Sequence, residues 1–318
     1  MKRRFACTLA LCAALSLQLQ AQRSELRLEK GWRFTRQDQA SFSTPDYNDS
    51  KWSRVTVPHD WAIYGPFSFE NDKQHLAIAQ DGQKEAMEHA GRTGGLPFVG
   101  AGWYRRSLDI PQDLGDRRVF LRFDGAMSHA RVYVNGKEVG YWPYGYNTFA
   151  FDITPYVRPG ASNTLAVRLE NKHESSRWYP GAGLYRNVHL TITSPTYIPL
   201  WGTRIQTPSV SADQAYVSVE TKVAGLSHLA GRPLRIETKI LSPEGKVVAE
   251  RSESFSSKGA DSIYRTGFDI SAPKLWDINQ PNLYKYAVTL SDGSRVIDRD
   301  TTTFGIRSIE LKAGEGFF

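Results

Sequence analysis

Residues 175–187 read SSRWYPGAGLYRN, the stretch richest in side chains that could meet a ligand. Trp178, Tyr179 and Tyr185 stand among the donors of Arg177, Arg186 and Asn187, while Pro180, Gly181 and Gly183 bend the chain between them. Flat apolar rings beside guanidinium and amide donors suit a pyranose, whose C–H face lies on a ring and whose hydroxyls take the hydrogen bonds. The same residues would also serve as a plug at the edge of a β-sandwich, the glycines merely turning the chain. Residue type alone favours that packing role.

Acid–base chemistry needs paired carboxyls, and several acids lie near the motif-rich segments: Asp60, Glu70 with Asp72, Glu85 with Glu88, and Glu170 with Glu174. Spacing pairs none of them. Glu85 and Glu88 would share a face only on a helix, and an exposed acidic pair is most often solvated surface. His59 and Asp60, adjacent on an extended segment, would point to opposite faces and are poorly placed to hold one ion. A structural reading suits them better, with Pro58 ending a strand, Asp60 capping a turn, and Trp52 and Trp61 filling a core or interface. His75, His89, His129, His173, His189 and His228 lack metal-ligand spacing, so neither a metal nor a cofactor is expected. The GRTGG at 91–95 lacks a phosphate-loop signature and reads as a tight loop.

The elements that must position these residues are strands. RVFLRF (118–123), ARVYVNGKEVGYW (130–142), NTLAVRLE (163–170), VHLTIT (188–193), QAYVSVETKV (214–223) and LYKYAVTL (283–290) are short and rich in β-branched and aromatic residues, most with a period of two. Asn135-Gly136 is a strong hairpin signal, and Pro243-Glu244-Gly245 and Asp292-Gly293 mark two more turns. The only helix candidate, around 82–89, is short and polar and reads as part of a long connection over 64–101, whose Phe67, Phe69, Leu96 and Phe98 argue against disorder. The chain is therefore expected to be all-β: a jelly-roll sandwich over 22–196, then an immunoglobulin-like β-sandwich over 197–303.

Residues 1–21 have the basic start, apolar run and LQA ending of a signal peptide, which predicts export to the periplasm or the exterior with Gln22 as the new terminus. Cys7 and Cys12, the only cysteines, both lie there, so the mature chain would hold no disulfide. Removing Lys2, Arg3 and Arg4 takes the formal net charge from +7 to +4. The remaining basic residues are scattered, which argues against nucleic acid as a partner. No second apolar run approaches the roughly 18 to 20 residues of a membrane span.

WSRVTVPHDW (52–61), GWYRR (102–106), FDGAMSHARVYVNGKEVG (123–140), SSRWYPGAGLYRNVHL (175–190) and FGIRSIEL (304–311) together resemble the amino-terminal half of glycoside hydrolase family 2, with exported β-galactosidases as the nearest likeness. The resemblance implies a sugar-binding jelly roll, an immunoglobulin-like domain and then a (β/α)8 barrel carrying two glutamates. Retaining glycosidases hold such a pair about 5 to 5.5 Å apart. Residues 304–318 would begin the linker into that barrel, which is missing from this sequence. The expectation is accordingly a fragment that is inactive alone, with no catalytic residue of its own. It would supply one rim of the site for a terminal β-galactoside, with Arg177 as the foremost sugar contact, Trp178 second, and Arg92 and Asp72 behind them. A freestanding carbohydrate-binding or adhesion module is an alternative from another class. β-Glucuronidase or β-mannosidase specificity is another alternative, and self-association through the β domains is compatible with the family.

Overall fold

The computed structural model describes residues 23–68, 70–71, 73–75, 84–85, 88–90, 98–172, 181–229, 231–256 and 259–317. The chain forms two compact units, one over Glu25–Ile192 and one over Thr193–Phe318, to which Arg23 and Ser24 also belong. Both are β-sandwiches, so the expected fold class holds. Among the described residues no helix is long and apolar enough to cross a membrane.

The first unit carries β1 (Ser24–Arg27), β2 (Trp32–Thr35), β3 (Ser53–Val55), β4 (Lys73–His75), β5 (Glu88–Ala90) and β6 (Gly100–Asp109). It continues through β7 (Arg118–Phe123), β8 (Ala130–Val134), β9 (Lys137–Trp142), β10 (Phe149–Asp152), β11 (Ser162–Asn171) and β12 (Val188–Thr193). A six-stranded sheet runs β3-β2-β6-β11-β8-β9, and a four-stranded sheet runs β1-β12-β7-β10. Alternation decides which side chains enter the core. In β7, Val119, Leu121 and Phe123 are buried and the residues between them are not; β11 sends Leu165, Val167 and Leu169 into the same core, while Ala166 between them is buried in a second cluster with Phe42, Trp52 and Trp103. β8 and β9 are joined through Asn135 and Gly136 at φ of 51° and 82°, the two positive angles that a tight two-residue hairpin turn demands.

One expectation needs adjusting. The 64–101 connection is not wholly irregular, because β4 and β5 pair antiparallel within it as a separate two-stranded sheet. Three residues per strand are too few to show a period in sequence.

The second unit contains β13 (Thr203–Val210), β14 (Gln214–Val223), β15 (Leu234–Leu241), β16 (Val247–Phe255), β17 (Ser262–Ser271), β18 (Tyr284–Asp292) and β19 (Arg295–Phe304). They make a three-stranded sheet β13-β14-β17 and a four-stranded sheet β16-β15-β18-β19. Val217, Val219, Phe268 and Ile270 from one sheet meet Ile236, Ile240, Tyr286, Val288 and Leu290 from the other. Tyr286 is fully buried, and its hydroxyl is satisfied across the core by Thr221 Oγ1 at 3.0 Å. Asp298, 0% exposed, accepts hydrogen bonds from Arg23 Nε (3.1 Å), Arg23 Nη2 (2.8 Å) and the Ile198 backbone N–H (2.7 Å). After β19 a small hairpin pairs β20 (Leu311–Lys312) with β21 (Gly316–Phe317).

Candidate functional site

The segment 181–187 is held by the motif at 57–61. His59 N–H donates to the Leu184 carbonyl at 2.8 Å and Trp61 N–H to the Ala182 carbonyl at 3.3 Å. Asp60 Oδ1 accepts from the Ala62 N–H (3.0 Å) and, across 122 residues of sequence, from the Ala182 N–H (3.2 Å). On the other side Met127 and Gly183 exchange both backbone hydrogen bonds, at 2.9 and 2.8 Å. Four separated stretches of sequence thus converge, since Tyr104 from β6 also reaches His59 Nδ1 at 2.7 Å.

Gly183 is required at this crossing. Its φ is +103°, and a Cβ there would lie 2.4 Å from the Tyr104 hydroxyl and 2.6 Å from the His59 carbonyl oxygen. Trp61 is fully buried and stacks on Phe34, with ring centroids 5.3 Å apart and planes 22° apart. Asp60 caps the turn through Ala62, so the structural reading of the His59-Asp60 pair is the one observed.

The described rim of this crossing is aromatic and cationic. Tyr64, 71% exposed, lies stacked over His59 at 6.3 Å, and Ile63 and Phe67 beside it in sequence are also exposed. Arg36 places its guanidinium 5.1 Å from the centre of the Phe98 ring and directs Nη2 towards the Trp61 carbonyl. Burial, with a smaller contribution from the Arg36 charge, holds His59 down at a pKa of about 4, so its imidazole is neutral at physiological pH. Rings and donors in this setting can bind a polyol. Elsewhere among the described residues the carboxylates whose pKa moves, Asp38, Asp152, Glu244 and Asp261, all move down. The first cause is the hydrogen bond from Arg168 for Asp38, from Lys274 for Glu244 and from Lys222 for Asp261. At Asp152 burial opposes the drop, and hydrogen bonds from Thr154 and Arg118 prevail.

Arg177, Trp178, Arg92 and Asp72, the four expected sugar contacts, lie outside the described residues. The structure does show the anchors of their segments. Gly181, the first described residue of the 175–187 stretch, sits with its Cα hydrogen side against Asp60 Oδ2, and in the 64–101 connection Tyr64 stacks on His59 and Phe98 lies under the Arg36 guanidinium. The structure also brings Tyr144 and Tyr146, absent from the expected contacts, next to Tyr185 and Arg186 of the 175–187 stretch. The aromatic density of YWPYGYN at 141–147 was the available signal.

Residues 26–195 match the family described as Glycosyl hydrolases family 2, sugar binding domain, and residues 197–307 match Glycosyl hydrolases family 2. The chain belongs to glycosyl hydrolase family 2. Among family relatives, Beta-galactosidase BoGH2A of Bacteroides ovatus is 33% identical over 97% of this chain, which covers 34% of that protein. A Beta-glucuronidase of Bacteroides fragilis is 31% identical over 95% of the chain, which covers 40% of it. The crystal structure of a family 2 member from Bacteroides cellulosilyticus superposes with a TM-score of 0.78 at 31% identity, covering 92% of this chain and 38% of that one. The chain thus spans about a third of the length of the curated relatives it matches.

Proposed function

We propose that this chain is the amino-terminal, non-catalytic portion of an exported retaining exo-β-galactosidase, contributing one rim of the pocket for a terminal β-galactoside. The observation that carries the reading is the back-to-back family match over 26–195 and 197–307, together with 33% identity to a β-galactosidase along nearly the whole chain. The reacting carboxyl pair would reside in a following (β/α)8 barrel. In this reading Arg177 meets sugar hydroxyls, Trp178 offers a ring face, and Arg92 and Asp72 complete the rim.

Sequencing the coding DNA beyond Phe318 tests this directly. An in-frame barrel with two glutamates supports it, and an immediate stop codon with no barrel in any frame overturns it. Residues 22–318 alone are expected to hydrolyse no aryl β-glycoside. Hydrolysis abolished by replacing a single acid within them would defeat the reading. In the complete enzyme Arg177→Ala should raise KM for 4-nitrophenyl β-galactoside by about tenfold, the worth of a charge-assisted hydrogen bond. Export predicts that the protein recovered from periplasm or medium begins at Gln22.

A second reading, β-glucuronidase, is favoured by the 31% identity to the Bacteroides fragilis enzyme. Parallel assays of the complete protein on aryl galactoside and aryl glucuronide separate the two.

A further inference from the structure

Asp298 on β19 is the only carboxylate buried among the described residues. A bare charge in such a place is strongly disfavoured, so its partners decide whether the sandwich tolerates it. Two of them are amides of the same unit: the Ile198 N–H donates to Oδ2 at 2.7 Å and the Arg299 N–H to Oδ1 at 3.0 Å. Among the described residues the one cation paired with it is Arg23. Arg23 Nε meets Oδ1 at 3.1 Å and Nη2 meets Oδ2 at 2.8 Å, the two parallel bonds of a bidentate pair. The same Nη2 donates to the Ile198 carbonyl at 2.5 Å.

This counter-ion comes from 275 residues upstream and lies outside both family-matched spans, 26–195 and 197–307. The run that receives it is fixed independently. Ser194 Oγ donates to the Ile297 carbonyl (2.9 Å), Thr196 Oγ1 donates to the Gly225 carbonyl (2.7 Å), and Tyr197 and Ala224 exchange both backbone hydrogen bonds (3.1 and 2.8 Å). Arg23 in turn is followed at once by β1, whose Ser24–Arg27 are hydrogen-bonded into a sheet. Partners already held by other contacts lose little further entropy on pairing.

We propose that Arg23 is an amino-terminal strap that completes the second sandwich: a residue outside that domain's own span neutralises its buried Asp298 and closes on the Ile198 carbonyl. Arg23 would be the second residue of the chain left by removal of residues 1–21. Processing at that bond retains the counter-ion, and a cut two residues further on removes it. The strap depends neither on the sugar taken by the complete protein nor on the barrel.

The test is hydrogen exchange read residue by residue on the full chain, with Arg23→Met, Arg23→Lys, Asp298→Asn and the double variant Arg23→Met with Asp298→Asn. Arg23→Met should speed exchange at Ile198, Val219 and Val288 by about ten- to hundredfold, with Leu121 and Val167 of the first unit within about twofold. Arg23→Lys should fall between, because an ammonium lacks the planar fork. Once Asp298→Asn has removed the charge, adding Arg23→Met should change exchange by less than about threefold. Unchanged exchange at Ile198 in Arg23→Met, equal acceleration in both sandwiches, or additive effects in the double variant overturns the proposal. If Arg23→Met alone yields no folded protein, rescue by Asp298→Asn supports the strap and failure to rescue overturns it.

Discussion

His59 Nδ1 and the Tyr104 hydroxyl lie 2.7 Å apart, and the phenol oxygen occupies the space that a side chain on Gly183 would need. A strand of the six-stranded sheet is thereby locked to two loop motifs that are distant in sequence. The contacts at this crossing fix the path of the 181–187 segment.

Gly183→Ala should consequently be costly. A Cβ 2.4 Å from the Tyr104 oxygen at a φ of +103° combines overlap with an unfavourable backbone angle, and a loss of about 3 kcal/mol or more is expected. Urea denaturation checks this, and a midpoint within error of the parent would contradict the account.

The depressed pKa of His59 carries a pH signature. Its folded value, about 4, lies below the ordinary histidine value, so the unfolded chain binds the proton more tightly. Its contribution is fully present above about pH 6.5 and is lost as pH falls towards 4. Thermal melts between those limits should show stability falling with pH, and His59→Gln should flatten that slope. An unchanged slope in the variant would place the sensitivity elsewhere.

Arg105 is 2% exposed and organises the turn at 42–49. Its guanidinium donates to Asp49 Oδ2 (3.0 Å) and to the carbonyls of Phe42 (2.5 Å) and Thr44 (2.9 Å). Arg105→Ala leaves those acceptors and a carboxylate without their donor and should cost about 3 to 5 kcal/mol. Arg105→Lys should recover only part of that, because an ammonium lacks the planar fork. Equal stability of the lysine variant and the parent would argue that charge alone matters.

In the second unit Asp298→Ala removes the acceptor shared by Arg23 and the Ile198 N–H. The buried amide loses its partner, and a loss of about 3 kcal/mol is expected. Hydrogen exchange at Ile198 provides a local readout, and protection unchanged in Asp298→Ala would contradict the assignment.

Much of the strand layout was legible because it is local. RVFLRF, VHLTIT and QAYVSVETKV form strands with the bounds that their patterns suggest, and Asn135-Gly136 turns as its residue types require. The β4–β5 hairpin was not legible, because three-residue strands carry no period. The aromatic rim was legible only in part. Tyr144 and Tyr146 look like the frayed end of a strand until the Gly145 carbonyl is seen to accept from Tyr185, 40 residues away.

The sequence by itself determined that this is an all-β chain of two sandwiches in glycosyl hydrolase family 2, because hydrophobic alternation and turn chemistry act between near neighbours and motif order is written in one dimension. Only the tertiary structure decided that Asp60 is a backbone acceptor and His59 a half-buried neutral base, and that Arg186 stands beside tyrosines without a carboxylate among the described residues. Those properties arise from desolvation and hydrogen bonding between segments up to 122 residues apart, and no local pattern encodes such distances.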